Sequence, residues 1–319
     1  MHQKLLPLEV VVIFGTQPRP YIEDISSLPH INWSLFNIES YIEKNKWCIP
    51  EPYPIPFEEL RVMPINSARG CTNRCTFCYH AFQVSHYRYR SVESLSKELD
   101  YLQQNYGINY INFYDDLTIH SKNRAYEFIE IFKNRSMYWT ACCRSGLITK
   151  DDYKLAEDLR DVGCVSLGYS LESANAEILK AMNKNISLQG YSEMKKVLDD
   201  VGIATVSALV LGYPQETEDT LKETFDYCYE NNIFPSTGYL LPQPGSPMYQ
   251  YARERDYIKN EEEYLLSMGD RQDLRINMSQ ISSRKFEKLV HEHLKRIRDK
   301  MKLNLTDEQL IKTGVVRAK

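Results

Sequence analysis

Between Arg61 and Leu240, short apolar runs alternate with segments whose apolar residues recur every three or four positions. The runs at residues 62–67, 110–114, 138–142, 164–169, 203–211 and 234–240 predict strands, because each is brief and bounded by polar loops. Between them, Val92, Leu95, Leu99 and Leu102 share one helical face, as do Tyr191, Met194, Leu198 and Val201. Gly107, Gly163 and Gly202 follow such segments, where a helix should stop. Six strand-helix units in series predict a parallel α/β barrel, left partial because a closed one needs eight.

The flanks read differently. Nine of the fourteen prolines lie in the first 64 residues and none lies between Ile65 and Tyr213. Since proline interrupts helix interiors and central strands, residues 1–60 read as an irregular arm and 61–250 as the barrel. Within the arm, residues 33–42 predict a short helix. Pro242, Pro244, Gly245 and Pro247 form a turn cluster that ends the repeat. The extension 251–319 is mostly polar and helical, with a long helix predicted over 283–301. Its Phe286, Leu289, Val290, His293, Leu294 and Ile297 form a face suited to packing on the barrel.

Composition narrows the classes. With 319 residues, 43% hydrophobic and 26% charged, the chain is that of a globular protein rather than a disordered one. Net charge is −4 and the basic residues cluster only around 295–302, so nucleic acid is not favoured as a partner. The apolar run 10–14 is too short to span a membrane and has no cleavage site behind it, which predicts a cytoplasmic protein. Eight cysteines, three of them clustered, do not form a secreted disulfide framework.

The cluster is Arg69-Gly70-Cys71-Thr72-Asn73-Arg74-Cys75-Thr76-Phe77-Cys78-Tyr79-His80. Three thiols four and then three residues apart can close round one face of an iron-sulfur cubane, leaving the fourth iron without a protein ligand. Such an open position is the mark of a catalytic metal site. The same spacing also permits a structural zinc knot, with His80 or His86 completing the set.

In a parallel barrel the working face is the C-terminal ends of the strands. There the sequence places, in turn, the cysteine loop, Asp115-Asp116, Arg144, Glu172-Ser173, Gly212-Tyr213-Pro214 and residues 242–247. Each has a plain structural reading: helix caps for the acids and serine, a solvated charge for the arginine, a turn for Gly-Tyr-Pro. Their co-location at one mouth instead suits a zwitterionic cofactor with a ribose. Of the other thiols, Cys164 and Cys228 read as small core residues and Cys48 lies in the arm. Cys142 and Cys143 approach the mouth beside Arg144, although burial is the usual fate of such thiols.

The pattern Cys-x-x-x-Cys-x-Phe-Cys resembles the signature of the radical S-adenosylmethionine (SAM) superfamily. The resemblance covers about residues 62–250 and implies a partial parallel (β/α)6 TIM-type barrel. It implies a [4Fe-4S] cluster on Cys71, Cys75 and Cys78, with SAM on the open iron cleaved to a 5′-deoxyadenosyl radical that acts on a small-molecule substrate. An electron donor such as flavodoxin or ferredoxin goes with that chemistry. The cofactor contacts it implies are Phe77 and Tyr79 in the cluster loop, Asp115 and Asp116 near the methionine amino group, and Arg144 at the carboxylate. Glu172 and Ser173 fall at the ribose and Gly212 beside the adenine. The run Leu179, Met182, Asn183, Lys184 is similar to the continuation of the family's fourth-strand segment, whereas Ala174-Asn175 stands where relatives often carry Gly-Ser.

A finer resemblance lies in Cys78-Tyr79-His80, Tyr87-Arg88-Tyr89-Arg90-Ser91 and the arm from Pro20 to Tyr41. These are similar to radical SAM proteins with an N-terminal cobalamin domain. No Asp-x-His-x-x-Gly stretch occurs, so the chain is expected to be a fragment or truncated relative, or to work without cobalamin. A corrinoid delivered by a separate domain or chain, and a zinc-stabilised binding module without catalysis, are the alternatives. A tRNA-modifying relative is disfavoured by the lack of a basic extension.

Overall fold

A computed structural model describes residues 20–79, 86–269 and 271–311. The predicted apolar run 10–14 and His80 lie outside them. The strands are β1 (Val62–Ile65), β2 (Ala68–Arg69), β3 (Arg88–Tyr89), β4 (Tyr110–Phe113), β5 (Tyr138–Cys142), β6 (Cys164–Gly168), β7 (Ala204–Val206), β8 (Ala208–Leu211) and β9 (Ser236–Tyr239). The helices are α1 (Ile38–Asn45), α2 (Val92–Tyr106), α3 (Lys122–Phe132), α4 (Tyr153–Asp161), α5 (Ala176–Ala181), α6 (Leu188–Val201), α7 (Glu218–Glu230), α8 (Pro247–Glu254), α9 (Glu261–Ser267) and α10 (Ser283–Met301).

Strands β1, β4, β5, β6 and β7 form one parallel sheet in that order, and β8 pairs with β9, also in parallel. The predicted single strand 203–211 is therefore two, parted at Ser207. The cause lies in its neighbour. Tyr169 N donates to Val206 O at 3.0 Å and Glu172 N to Ala208 O at 2.9 Å, so three residue steps on one side face two on the other. This bulge releases Ser170 and Leu171 from the ladder and leaves Glu172 in the left-handed region at φ 64°. Ser207 O turns the other way and accepts from Ser236 N at 2.8 Å. The result is an open barrel of six strand positions with β1 and β9 at its edges, matching the predicted class.

Alternation along the strands sorts the core into two faces. Met63, Ile65, Ile111, Phe113, Trp139 and Leu167 turn outward into the main core with Leu95, Leu99, Leu102 and Phe128. Val62 and Tyr110 turn inward, where Ile49 and Leu60 from the arm pack on them, joined by Tyr53, Ile55, Phe57 and Tyr138. Val62, Tyr110 and Tyr138 each open their strand, so the arm fills the N-terminal end of the barrel. The predicted arm helix 33–42 is a 3-10 turn at Trp33–Leu35 followed by α1; Asn32 caps the turn through Ser34 N.

The predicted long helix is α10, whose Phe286, Val290, Leu294 and Ile297 are buried, and His293 stacks on Phe225 at 4.9 Å. Gly163, between α4 and β6, has φ 91°, and a Cβ there would lie 2.2 Å from Met137 O. Only glycine fits. Among the described residues no helix is long and apolar enough to cross a membrane.

Trp139 is fully buried, stacks on Phe132 at 5.2 Å and donates from Nε1 to Val162 O at 3.0 Å. Trp139→Ala is expected to lower unfolding stability by about 3–5 kcal/mol, read as a drop in the denaturant midpoint.

Candidate active site

The thiols sit on the loop inside the β2–β3 hairpin, whose described residues form no ladder of their own. Its backbone is tied to distant parts of the chain. Thr76 N donates to Met182 O at 2.9 Å, Thr76 Oγ1 contacts Ala181 O and the Tyr213 hydroxyl at 2.9 Å each, and Met248 N donates to Thr76 O at 3.1 Å. Asn183, at φ 51°, donates from its side chain to Arg74 O at 2.8 Å. The loop is thus clamped between the end of α5 and the start of α8.

Cys75 is buried, and Cys71 and Cys78 are half-buried. A hydrogen bond from Cys78 holds the Cys75 thiol below its usual range despite burial, while burial pushes Cys71 up. Among the described residues no three His, Cys, Asp or Glu side chains gather round a point that would hold a single metal ion. Three cysteines on one loop, with no fourth protein ligand required, are a donor set of the kind that an iron-sulfur cluster takes, each thiolate on its own iron. His86, the described candidate for a fourth zinc ligand, is exposed and paired with Glu23 at 2.6 Å.

The paired acids divide their work. Asp115 accepts from Ser67 N at 2.9 Å, Ser67 Oγ at 2.6 Å and Ala68 N at 3.1 Å, bonding the end of β4 to the turn between β1 and β2. Burial raises its carboxyl against those bonds. Asp116 instead is exposed at the mouth. Arg144 is exposed after β5, and its guanidinium has no hydrogen bond or ion pair among the described residues.

Glu172 is buried and pairs with Lys184 at 3.0 Å, both side chains being nearly enclosed. Burial would lower the Lys184 ammonium, but Glu172 and the nearby Cys75 raise it, so the lysine keeps its charge. Ser173 does not face the mouth: its hydroxyl meets Thr224 Oγ1 of α7 at 3.1 Å. Gly212 also lies in the wall, at φ 104°, with Phe286 and Leu240 against it.

Two cavities open at this end. The smaller, about 290 Å³, is lined by the three thiols, Asp116, Arg144, Glu172 and Lys184, with the exposed Cys142 and the buried Cys143 beside them. The larger, about 920 Å³, lies between the hairpin and β9 and takes in Tyr79, Tyr114 and Tyr239. Phe77, Cys78 and Asp116 line both. The chambers therefore meet at the cysteine loop.

Such an open parallel barrel, with three thiols and charged side chains at the mouth of a divided cavity, is the frame of a cofactor-dependent enzyme. The radical SAM superfamily model matches residues 65–228, just over half of the chain, and the chain belongs to that superfamily, whose cofactors are a [4Fe-4S] cluster and SAM. It is 26% identical over 239 residues to an uncharacterized methyltransferase of Pyrococcus horikoshii, covering 74% of this chain and 48% of that protein. It is 27% identical over 214 residues to the bacteriochlorophyllide d C-12(1)-methyltransferase of Chlorobaculum tepidum, covering 66% and 46%. The fold is similar to the radical SAM methyltransferase TsrM of Kitasatospora setae, solved with cobalamin and a [4Fe-4S] cluster, with TM-score 0.51 at 16% identity over 67% of this chain and 43% of that one. The chain spans about half the length of the curated relatives it matches.

Sequence reasoning gave no role to Thr76, Lys184 or Glu216. The first two act through partners over 100 and 12 residues away, which periodicity does not reveal. Glu216 is fully buried two residues past Pro214 and accepts from Gly212 N, fixing the turn that presents Tyr213 to Thr76. Its place just after a Gly-Tyr-Pro turn was the available signal.

Burial pushes the Glu216 carboxyl up from 4.5 to about 7, against the backbone N–H groups of Gly212 and Tyr213. The folded state therefore holds this proton more tightly than the unfolded one. Its contribution to stability is full below about 4.5 and is lost as pH rises through about 7. Glu216→Gln is expected to flatten this part of the dependence of the denaturant midpoint on pH; an unaltered slope would remove the assignment.

Proposed function

We propose that the chain is a radical SAM enzyme that reductively cleaves SAM and uses the resulting 5′-deoxyadenosyl radical on a small-molecule substrate. The observation that carries the reading is the pair of chambers meeting at Phe77, Cys78 and Asp116, one beside the thiols and one large enough for a second ligand. Cys71, Cys75 and Cys78 would hold the cluster. When bound, the cluster and SAM supply a primary carbon radical able to abstract hydrogen.

The protein's own residues bind and position. Arg144, unpaired at the smaller chamber, offers its fork to the SAM carboxylate, and Asp116 accepts from the methionine ammonium. Glu172 turns toward the same chamber from the bulge and accepts from ribose hydroxyls while Lys184 holds it in place. Phe77 gives an apolar wall at the junction and Tyr79 faces the larger chamber. Asp115, Ser173 and Gly212 keep the walls in register. The arm fills the barrel's other end and so keeps water from that side. The reduction calls for a donor such as flavodoxin or ferredoxin, and an oxygen-sensitive cluster fits a cytoplasmic setting.

Methyl transfer is the second reading, favoured by two relatives at 26% and 27% identity that are named methyltransferases. A corrinoid on another domain or chain would then take part. The products separate the two: 5′-deoxyadenosine alone supports hydrogen abstraction, and S-adenosylhomocysteine with hydroxocobalamin binding supports methyl transfer.

Replacing Cys71, Cys75 or Cys78 by Ala is expected to abolish both iron-sulfur content and 5′-deoxyadenosine formation after anaerobic reconstitution. Full iron and sulfide in such a variant would overturn the assignment. Arg144→Ala is expected to weaken SAM binding by about ten- to a hundredfold in calorimetry with the cluster absorbance unchanged. Equal affinity would take Arg144 out of the site.

A further inference from the structure

The larger chamber is ringed by guanidinium groups from both edges of the open barrel. Arg69 ends β2 and stands directly opposite Arg88 of β3 in the antiparallel register, so the two side chains share one face of the hairpin. Like charges placed opposite each other are unfavourable, and a chain keeps such a pair where something else rewards it. Arg88 donates from Nη1 to Ile22 O at 2.5 Å and lies over the Tyr21 ring, which fixes it at the rim. The Arg69 guanidinium has no hydrogen bond or ion pair among the described residues.

The third guanidinium comes from the opposite edge. Tyr239 N donates to Arg271 O at 2.6 Å, so residue 271 runs along the free side of β9. Its side chain crosses inward over Gly238: a Cβ on Gly238 would lie 2.9 Å from Arg271 Cδ and Nε and 3.0 Å from Cγ. The glycine makes room for the arginine stem. The Arg271 guanidinium, like that of Arg69, has no hydrogen bond or ion pair among the described residues, and both residues line the chamber.

Carboxylates offset this charge only in part. Of the two that line the chamber, Asp115 is taken up by Ser67 and Ala68, and Asp116 lies at the junction with the smaller chamber. The remaining lining includes Phe77, Tyr79, Val210 and Leu240, an apolar floor between the two charged edges.

We propose that the larger chamber binds a substrate bearing carboxylate or phosphate groups on an apolar body, with Arg69 and Arg271 as its oxyanion contacts and Gly238 as the residue that lets Arg271 reach in. This rests on the reading of the site given above and names the substrate class of that site. Guanidinium forks suit both oxyanions, since each presents two oxygens in the plane of the fork. An apolar body satisfies the aromatic and aliphatic floor without adding buried unpaired polar groups.

The test is anaerobic calorimetry on the reconstituted, SAM-loaded protein with two probes, glutarate for the carboxylate source and pyrophosphate for the phosphate source. At least one is expected to bind, and the better binder identifies the source. Arg69→Gln with Arg271→Gln should weaken it by about tenfold or more, and Gly238→Ala should weaken it in the same direction by displacing the Arg271 stem. SAM affinity should stay unchanged in both variants. Binding of neither probe, or equal affinity in the double variant, would overturn the inference. Cluster content and SAM affinity, measured on the same samples, report separately on the radical SAM reading. Intact cluster and SAM binding without probe binding defeats the oxyanion inference alone, and probe binding in a protein that takes up neither cluster nor SAM defeats the enzyme reading alone.

Discussion

An open barrel of six strands cannot shut its own interior, and the rest of the molecule depends on how that is managed. The arm does it. Ile49 and Leu60 pack onto Val62 and Tyr110 at the first residues of the strands, and Tyr53, Ile55 and Phe57 surround them. With one end filled by apolar side chains, the polar groups inside the sheet and at its C-terminal ends face a single mouth. The division between filled base and chemically equipped rim is what makes the C-terminal loops a site rather than a channel.

At the rim, precision comes from backbone irregularity. The bulge at Ser170 and Leu171 shifts the pairing by one residue and sets Glu172 in a left-handed conformation that a non-glycine residue rarely adopts. A buried acid in that state needs a partner, and Lys184 supplies it at 3.0 Å. Burial raises the Cys71 thiol and the hydrogen bond to Cys75 raises that of Cys78, and the lysine's charge opposes both. One ion pair thus holds the bulged strand end and biases the charge of the cysteine loop.

Much of this was legible in the chain. Strand β5 and helix α10 coincide with the predicted ranges because their apolar periodicity is undisturbed, and the remaining strands differ by a residue or a few at their ends. Strand 203–211 was not legible as two because its division originates in the bulge of a neighbouring strand. Asp116 and Arg144 face the cavity as the motif positions suggest. Asp115 both lines the larger chamber and is held by Ser67 and Ala68, while Ser173 and Gly212 lie in the walls, and adjacency in sequence cannot tell how two neighbouring carboxylates divide between cavity and backbone. Thr76, Lys184 and Arg271 depend on contacts with segments elsewhere in the chain, which no local pattern encodes.

The clamp on the cysteine loop has a consequence for biogenesis. Three thiols emerge from the ribosome by residue 78, yet the atoms that fix their loop, Ala181 O, Met182 O, the Tyr213 hydroxyl and Met248 N, are synthesised more than 100 residues later. During translation the sulfurs therefore wait on an unanchored segment while about another hundred residues are made. Assembly of the cluster proposed for this loop is best matched to a post-translational event, after the far wall of the barrel has closed on it.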